Sequence, residues 1–267
     1  MITLPPATQP IGHEKELARL AAAVRARRPL LIYGPPDSGK TFLVQRFLRA
    51  LPTEEQSCTV YVPGFVSVHA LLEATARQLS GAAPSSARGS RAMAREFPRR
   101  LEASTSGRLR VLLRTMAQER RLCLFLDHFP RFSPFLMRLV NQLIWKDESS
   151  VYLLARGKTR DEIGYAWSIY FAPEYRLELG AFHEREAKSL LDQCVRQFGI
   201  ASLASPEFRT EVLRRSAGLP GAIVKMCALA ANPRYHFGNQ VKLGLLHIDY
   251  LMHADPIHSL ALSGPKR

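Results

Sequence analysis

No apolar run in these 267 residues approaches the ~20 needed to cross a bilayer, so a membrane-spanning helix is excluded and no membrane partner is expected. The opening MITLPPATQPIGHE has neither the basic start nor the long apolar stretch of a secretory signal. Cysteine is scarce: Cys58, Cys123, Cys194 and Cys227 stand far apart without paired spacing. That pattern excludes a disulfide framework and a zinc site. It predicts small buried thiols in a reducing compartment, hence a cytoplasmic setting. The eight histidines form no ligand-spaced pairs, no Ser/His/Asp or Cys/His grouping stands out, and no internal repeat is present. Acidic residues are also short, with 23 Asp and Glu against 37 Lys and Arg, a net charge of +14 and a pI near 10.1.

The basic surplus is concentrated. Between Ser85 and Arg121, ten arginines (Arg88, Arg91, Arg95, Arg99, Arg100, Arg108, Arg110, Arg114, Arg120 and Arg121) meet three acids (Glu96, Glu102 and Glu119). Such a field suits a polyanion, with DNA the default partner and acidic lipid a further one. The other reading is a solvated helix and loop that keeps the chain soluble.

Against those absences stands one dense motif. GPPDSGKT, Gly34 to Thr41, follows the apolar run LLIY (Leu30 to Tyr33) and precedes the helical pattern FLVQRFLRAL. It fits the phosphate-loop pattern G-x-x-x-x-G-K-S/T in the strand–loop–helix setting that pattern requires. Glycines let backbone N–H groups turn toward phosphate oxygens without a Cβ in the way, and a helix predicted from Gly39 adds its positive dipole end. Gly34, Pro35, Pro36, Asp37, Ser38, Gly39, Lys40, Thr41 and Phe42 are therefore the candidate nucleotide contacts. Lys40 would reach the β- and γ-phosphates, and the Thr41 hydroxyl would hold Mg²⁺. ATP or GTP is the expected ligand.

A second element is LCLFLD, Leu122 to Asp127: five apolar residues ending in a carboxylate describe a buried parallel strand that delivers Asp127 to the sheet's carboxyl edge. There Asp127 would hold Mg²⁺ through water. His128 follows, at the position where many ATPases place a glutamate that polarises the attacking water. Imidazole can accept a proton, with an unperturbed pKa near ~6.5; the other reading is a polar residue at a strand end. Slow or partner-dependent hydrolysis is expected.

SCTVYV (Ser57 to Val62), SVYLLAR (Ser150 to Arg156) and YRLEL (Tyr175 to Leu179) read as further strands. Helical patterns cover His69 to Leu79, Arg108 to Arg120 and Pro134 to Trp145, and GAAPSSARGS (Gly81 to Ser90) reads as a loop. Strands alternating with helices predict an α/β fold: a P-loop NTPase three-layer sandwich with a mostly parallel sheet. After Leu179 the pattern is all-helical. The expected division is a nucleotide-binding core over 1–180, a small helical lid over 181–255 and a flexible tail over 256–267. The aromatics around Trp145, Trp167 and Tyr165 to Tyr175 read as core or interface packing.

These motifs together resemble the AAA+ ATPases, in particular the branch shared by replication initiators, STAND signalling ATPases and transposon-encoded ATP-dependent regulators. IGHEKELARL (Ile11 to Leu20) is similar to that branch's hGRexEhxxL opening, with His13 where Arg is usual. The resemblance implies that Ile11 and Gly12 contact the base. VYLLAR is similar to the sensor strand, which makes Arg156 a candidate γ-phosphate sensor; its guanidinium fork suits phosphate oxygens, and its plainer reading is a surface arginine. FHEREAKSLLDQCVRQFG (Phe182 to Gly199) looks like the first lid helix, Pro206 to Ser216 the second and Lys242 to His253 the last. GLPGAIVKMCALA (Gly218 to Ala230) resembles the Gly-x-Pro-Arg sensor motif, which brings Pro220 to the nucleotide, but Gly221 replaces the arginine. Lys225, one turn on, either substitutes for it or is solvated.

The resemblance implies an ATP- and Mg²⁺-binding protein with Lys40, Asp127, His128 and Arg156 as catalytic candidates and Thr41 and Asp127 at the metal. It would assemble as a homo-oligomeric ring or filament on DNA and recruit another protein, as a transposition regulator does. No winged-helix domain fits in the residues beyond the lid. The alternative is a minimal STAND-type switch that signals to protein partners without DNA.

Overall fold

The structure, a computed structural model, describes residues 11–56, 58–64, 67–81, 107, 111, 122–128, 134–145, 149–238 and 240–254. The arginines of the basic cluster, the expected loop beyond Gly81, the expected helix over 108–120 (Val111 apart) and the tail beyond residue 254 lie outside the described residues. The chain divides into two compact units. One holds Glu14–Pro35 and Lys40–Leu179; the other holds residues 11–13, Pro36–Gly39 and the chain from Gly180 onward.

The first unit is built on five strands: β1 (Leu30–Gly34), β2 (Thr59–Val62), β3 (Cys123–Leu126), β4 (Ser150–Arg156) and β5 (Arg176–Glu178). They form one sheet in the order β2-β3-β4-β1-β5, and every pairing is parallel. Parallel strands need covered crossovers, and here both faces are covered. Successive residues alternate between two cores. Leu31 and Tyr33 of β1 with Val151, Leu153 and Ala155 of β4 join Leu71, Leu72, Leu136, Val140 and Leu143. On the opposite face Leu30 and Ile32 with Tyr152 and Leu154 join Leu20, Leu43, Val44 and Phe47. The helices that supply these side chains are α1 (Glu14–Arg25), α2 (Lys40–Ala50), α3 (Val68–Gly81) and α4 (Pro134–Trp145). Sheet and flanking helices make the three layers that the alternating pattern predicts. The phosphate-loop helix starts at Lys40, one residue later than the sequence suggests.

In the second unit, helices α5 (Glu184–Gln197), α6 (Pro206–Ser216), α7 (Pro220–Ala230) and α8 (Leu243–Ala254) enclose a core of Leu190, Leu191, Val195, Phe208, Val212, Ile223 and Met226. Ser205 caps α6 by accepting the Phe208 N–H at 3.2 Å, and Pro206 fills its first position. To the helical pattern read from sequence the structure adds a two-stranded antiparallel ribbon, His236–Phe237 with Gln240–Val241. Beside it the Tyr235 hydroxyl donates to buried Asp249 of α8 at 2.7 Å.

None of the four cysteines forms a disulfide. Cys194 and Cys227 are buried as expected, but Cys58, just before the edge strand β2, and Cys123, the first residue of β3, are only partly so. Burial still pushes the Cys123 thiol up to about 12, which keeps it protonated and inert near neutral pH. Among the described residues no cluster of His, Cys, Asp or Glu is arranged to hold a metal ion. Trp167 packs edge-on to Tyr33 under the Arg176 guanidinium, whereas Trp145, Tyr165 and Phe171 are exposed.

The middle of the sheet carries the packing load. Phe125 is fully buried and stacks on Tyr152 with centroids 4.5 Å apart, and it also faces Phe47 at 6.0 Å. Replacing Phe125 with Ala leaves a cavity against two rings and is expected to cost about 3–5 kcal/mol in urea denaturation. A loss below about 1 kcal/mol would contradict this packing.

Candidate nucleotide-binding site

Because the strands are parallel, their carboxyl ends open on one edge, where ligands bind in sheets of this type. In the sheet unit, several of the sequence candidates lie at that edge. β1 ends at Gly34, whose register partner in β4 is Arg156; the Gly157 N–H donates to the Gly34 carbonyl at 3.1 Å. Asp127 follows β3 directly. Lys40 is buried, and its ammonium donates to the carbonyls of Gly34 at 2.9 Å and Pro35 at 2.7 Å. Both of these acceptors are neutral, and an ammonium set among carbonyls suits an anion. Phe42, in the first turn of α2, is exposed.

Asp127 is 2% exposed and is surrounded by donors. Its Oδ2 accepts from the Thr41 hydroxyl at 2.7 Å and from the Tyr61 hydroxyl at 2.8 Å. Its Oδ1 accepts from the His128 backbone N–H at 2.7 Å and faces His128 Nδ1 at 3.0 Å. Burial by itself would raise this carboxyl; hydrogen bonds from His128 and Thr41, the His128 charge and the Tyr61 hydroxyl outweigh it and hold the group below its ordinary range. Burial and the Asp127 charge drive the Tyr61 phenol upward, so it remains a donor. An anionic carboxylate beside a threonine hydroxyl is the donor set that Mg²⁺ takes, and these residues fit the ion. His128 adopts φ +53, which turns its own N–H and ring back onto Asp127. An ionised carboxylate only accepts, so the His128 Nδ1 that faces it is a donor, and Nε2 is the ring nitrogen turned away from Asp127.

The remaining candidates belong to the helical unit. Ile11 packs against its core, and Gly12 is buried beside the Phe182 ring. His13 donates from Nε2 to the Ser38 carbonyl at 2.9 Å and stands edge-on to Phe182 at 4.7 Å. The histidine in place of the expected arginine thus tethers the phosphate loop by a main-chain contact. Gly39 takes φ +90, a conformation open to glycine, and a Cβ there would lie 3.4 Å from Pro220, the first residue of α7. Lys225 is not simply solvated: its ammonium donates to Asp37 Oδ1 at 2.7 Å. The Tyr250 hydroxyl donates to Asp37 Oδ2 at 3.1 Å.

Sequence reasoning missed Tyr61, Tyr250 and the pairing of Asp37. Tyr61 carried a faint signal, since it interrupts the Val60 and Val62 alternation on the face opposite their core. Tyr250 and Asp37 carried none, being far apart in the chain.

A family model described as "AAA ATPase domain" matches residues 9–162, more than half of the chain. No curated protein matches the chain. Many solved structures share the fold, among them the following three. The Walker-type ATPase of Pyrococcus abyssi has a TM-score of 0.56 at 15% identity, over 95% of this chain and 75% of that one. Cdc6p from Pyrobaculum aerophilum has 0.58 at 14%, over 85% and 63%. A Signal Transduction ATPase with Numerous Domains (STAND) protein with a tetratricopeptide repeat sensor, from Pyrococcus horikoshii, has 0.52 at 13%, over 94% and 33%. The chain thus spans less than two thirds of the last two. At these identities the likeness is one of fold.

The depressed Asp127 carboxyl has a consequence for stability. A group whose folded pKa lies below its unfolded value stabilises above the unfolded pKa, near ~3.9, and loses that contribution as pH falls through the folded one. The difference in unfolding free energy between wild type and Asp127→Asn is expected to be constant from neutral pH to about pH 4 and to shrink below it. A difference that stays flat to about pH 2 would contradict the depressed value.

Proposed function

The chain belongs to the AAA ATPase domain family, and from that premise we propose that it binds ATP with Mg²⁺ and assembles in a nucleotide-dependent way on DNA, where it recruits a partner protein as a transposition regulator does. One observation carries the nucleotide reading: Thr41, next to the buried Lys40, is hydrogen-bonded to Asp127 at 2.7 Å, so that the loop's cation, its hydroxyl and the strand-end carboxylate share one locality. Lys40 would meet the β- and γ-phosphates, and Thr41 and Asp127 would hold Mg²⁺, which supplies charge neutralisation on the phosphates. Arg156, opposite Gly34 in register, is the candidate γ-phosphate sensor. Ile11, Gly12 and Pro220 are kept as candidate base-side and lid-side contacts.

Hydrolysis is proposed to be slow or partner-stimulated. His128 rather than a glutamate follows Asp127, and its Nδ1 is taken up by that carboxylate. Only Nε2 is left to receive a proton from water.

Support for DNA as partner is the net charge of +14, with ten arginines between Ser85 and Arg121. Support for the second reading, a nucleotide switch that signals to proteins, is the fold shared with a STAND protein that carries a repeat sensor.

One measurement tests the nucleotide site that both readings share, and a second separates them. Lys40→Ala removes charge-assisted bonds worth about 1.5–3 kcal/mol, and calorimetry is expected to show ATP affinity lower by about 10–150-fold. Equal binding by wild type and variant would refute the phosphate assignment. With ATP present, duplex DNA is expected to bind with a log–log salt slope of about −0.9 for each phosphate neutralised. No binding at about 50 mM salt would favour the protein-signalling switch.

A further inference from the structure

Asp37 is an acid in the middle of a loop whose proposed ligand is a polyanion. Within the helical unit it is held at three points. Its carbonyl accepts the Gly221 N–H at 2.8 Å, Oδ1 accepts from Lys225 at 2.7 Å, and Oδ2 accepts from Tyr250 at 3.1 Å. Its side chain is only 12% exposed, and its backbone sits at φ +63, a conformation that Asp tolerates when local bonds fix it. Burial and the Asp37 charge push the Tyr250 phenol upward, so that hydroxyl stays a donor.

Gly221 explains the architecture. A Cβ at this position would lie 2.9 Å from the Cα, Cβ and carbonyl oxygen of Asp37, closer than real contacts allow. An arginine at this place, as the sensor motif prescribes, is therefore sterically incompatible with the observed approach of α7 to Asp37. The cation stands instead one turn along α7, at Lys225, and its partner is a loop carboxylate.

We propose that Lys225 is the counter-ion of the phosphate loop: by neutralising Asp37, and with Tyr250 fixing its carboxylate, it sets the loop's affinity for polyphosphate. The inference rests on the reading of Gly34 to Thr41 as a phosphate cradle. Left unpaired, the Asp37 carboxylate would repel the phosphates in a partly buried setting, where the lower dielectric strengthens interactions between charges. Lys225 thus acts through Asp37 and is a positioning residue.

The test is calorimetric titration with Mg·ATP and Mg·ADP of wild type, Lys225→Met, Lys225→Arg, Asp37→Asn and the Lys225→Met/Asp37→Asn pair, each at low and high salt. Lys225→Met is expected to weaken ATP binding by about tenfold, more than ADP binding, with the defect shrinking as salt rises. Lys225→Arg keeps the charge and should bind as wild type. The pair should return to within about twofold of wild type, because both members of the interaction are gone. Asp37→Asn alone should bind ATP at least as tightly as wild type, and this holds the proposal to account even if Lys225→Met does not fold. Weaker ATP binding by Asp37→Asn, or a pair as weak as Lys225→Met, would overturn it. Lys40→Ala run in parallel separates the two levels. If that variant binds like wild type, the cradle reading itself fails; if it loses ATP while Lys225→Met does not, only the counter-ion role fails.

Discussion

A buried carboxylate must find donors or give up its charge, and Asp127 finds them on every side. The Thr41 hydroxyl comes from the first turn of α2, the Tyr61 hydroxyl from β2, and both His128 donors from the residue that follows. This one group therefore joins β2, β3 and the phosphate-loop helix at the carboxyl edge of the sheet. The flanking packing makes it possible: β3 is central enough to be apolar throughout, and the strand's polar residue emerges only where the sheet ends. The same network would be the metal-binding set of the proposed function, since the donors from His128, Thr41 and Tyr61 outweigh burial and hold the carboxyl below its ordinary range.

The phosphate loop is held from within each unit by different means. Lys40 turns back on the Gly34 and Pro35 carbonyls in the sheet unit. Ser38 and Asp37 are tied to His13, Gly221, Lys225 and Tyr250 in the helical unit. Two departures from the family pattern acquire a physical account this way. His13 replaces a guanidinium with a ring that bonds a loop carbonyl. Gly221 gives up a side chain so that the loop backbone fits against the start of α7.

What is legible in the sequence is what local periodicity encodes. Ser150 to Arg156, Pro134 to Trp145 and Pro206 to Ser216 begin and end where their patterns predict, because long apolar runs and proline or serine boundaries leave little freedom. Asp127 is legible because a carboxylate that ends an apolar strand has to emerge at the sheet's edge, where ligands sit. The Asp37 pairs are not, since Lys225 and Tyr250 lie 188 and 213 residues away and no local pattern records a tertiary ion pair. By sequence Lys225 is a phosphate contact or a solvated side chain, and the structure gives it a third role. Tyr61 is hidden for another reason: a tyrosine in a strand reads as packing until its neighbour across the sheet is known.

The proposed function turns on a divalent cation that Thr41 and Asp127 would hold together with the nucleotide's phosphates. Electron paramagnetic resonance with Mn²⁺, titrated in the presence and absence of a non-hydrolysable ATP analogue, tests this most directly. A bound Mn²⁺ signal is predicted only when nucleotide is present, with its loss in both Thr41→Val and Asp127→Asn. A bound signal of unchanged strength in either variant would contradict it.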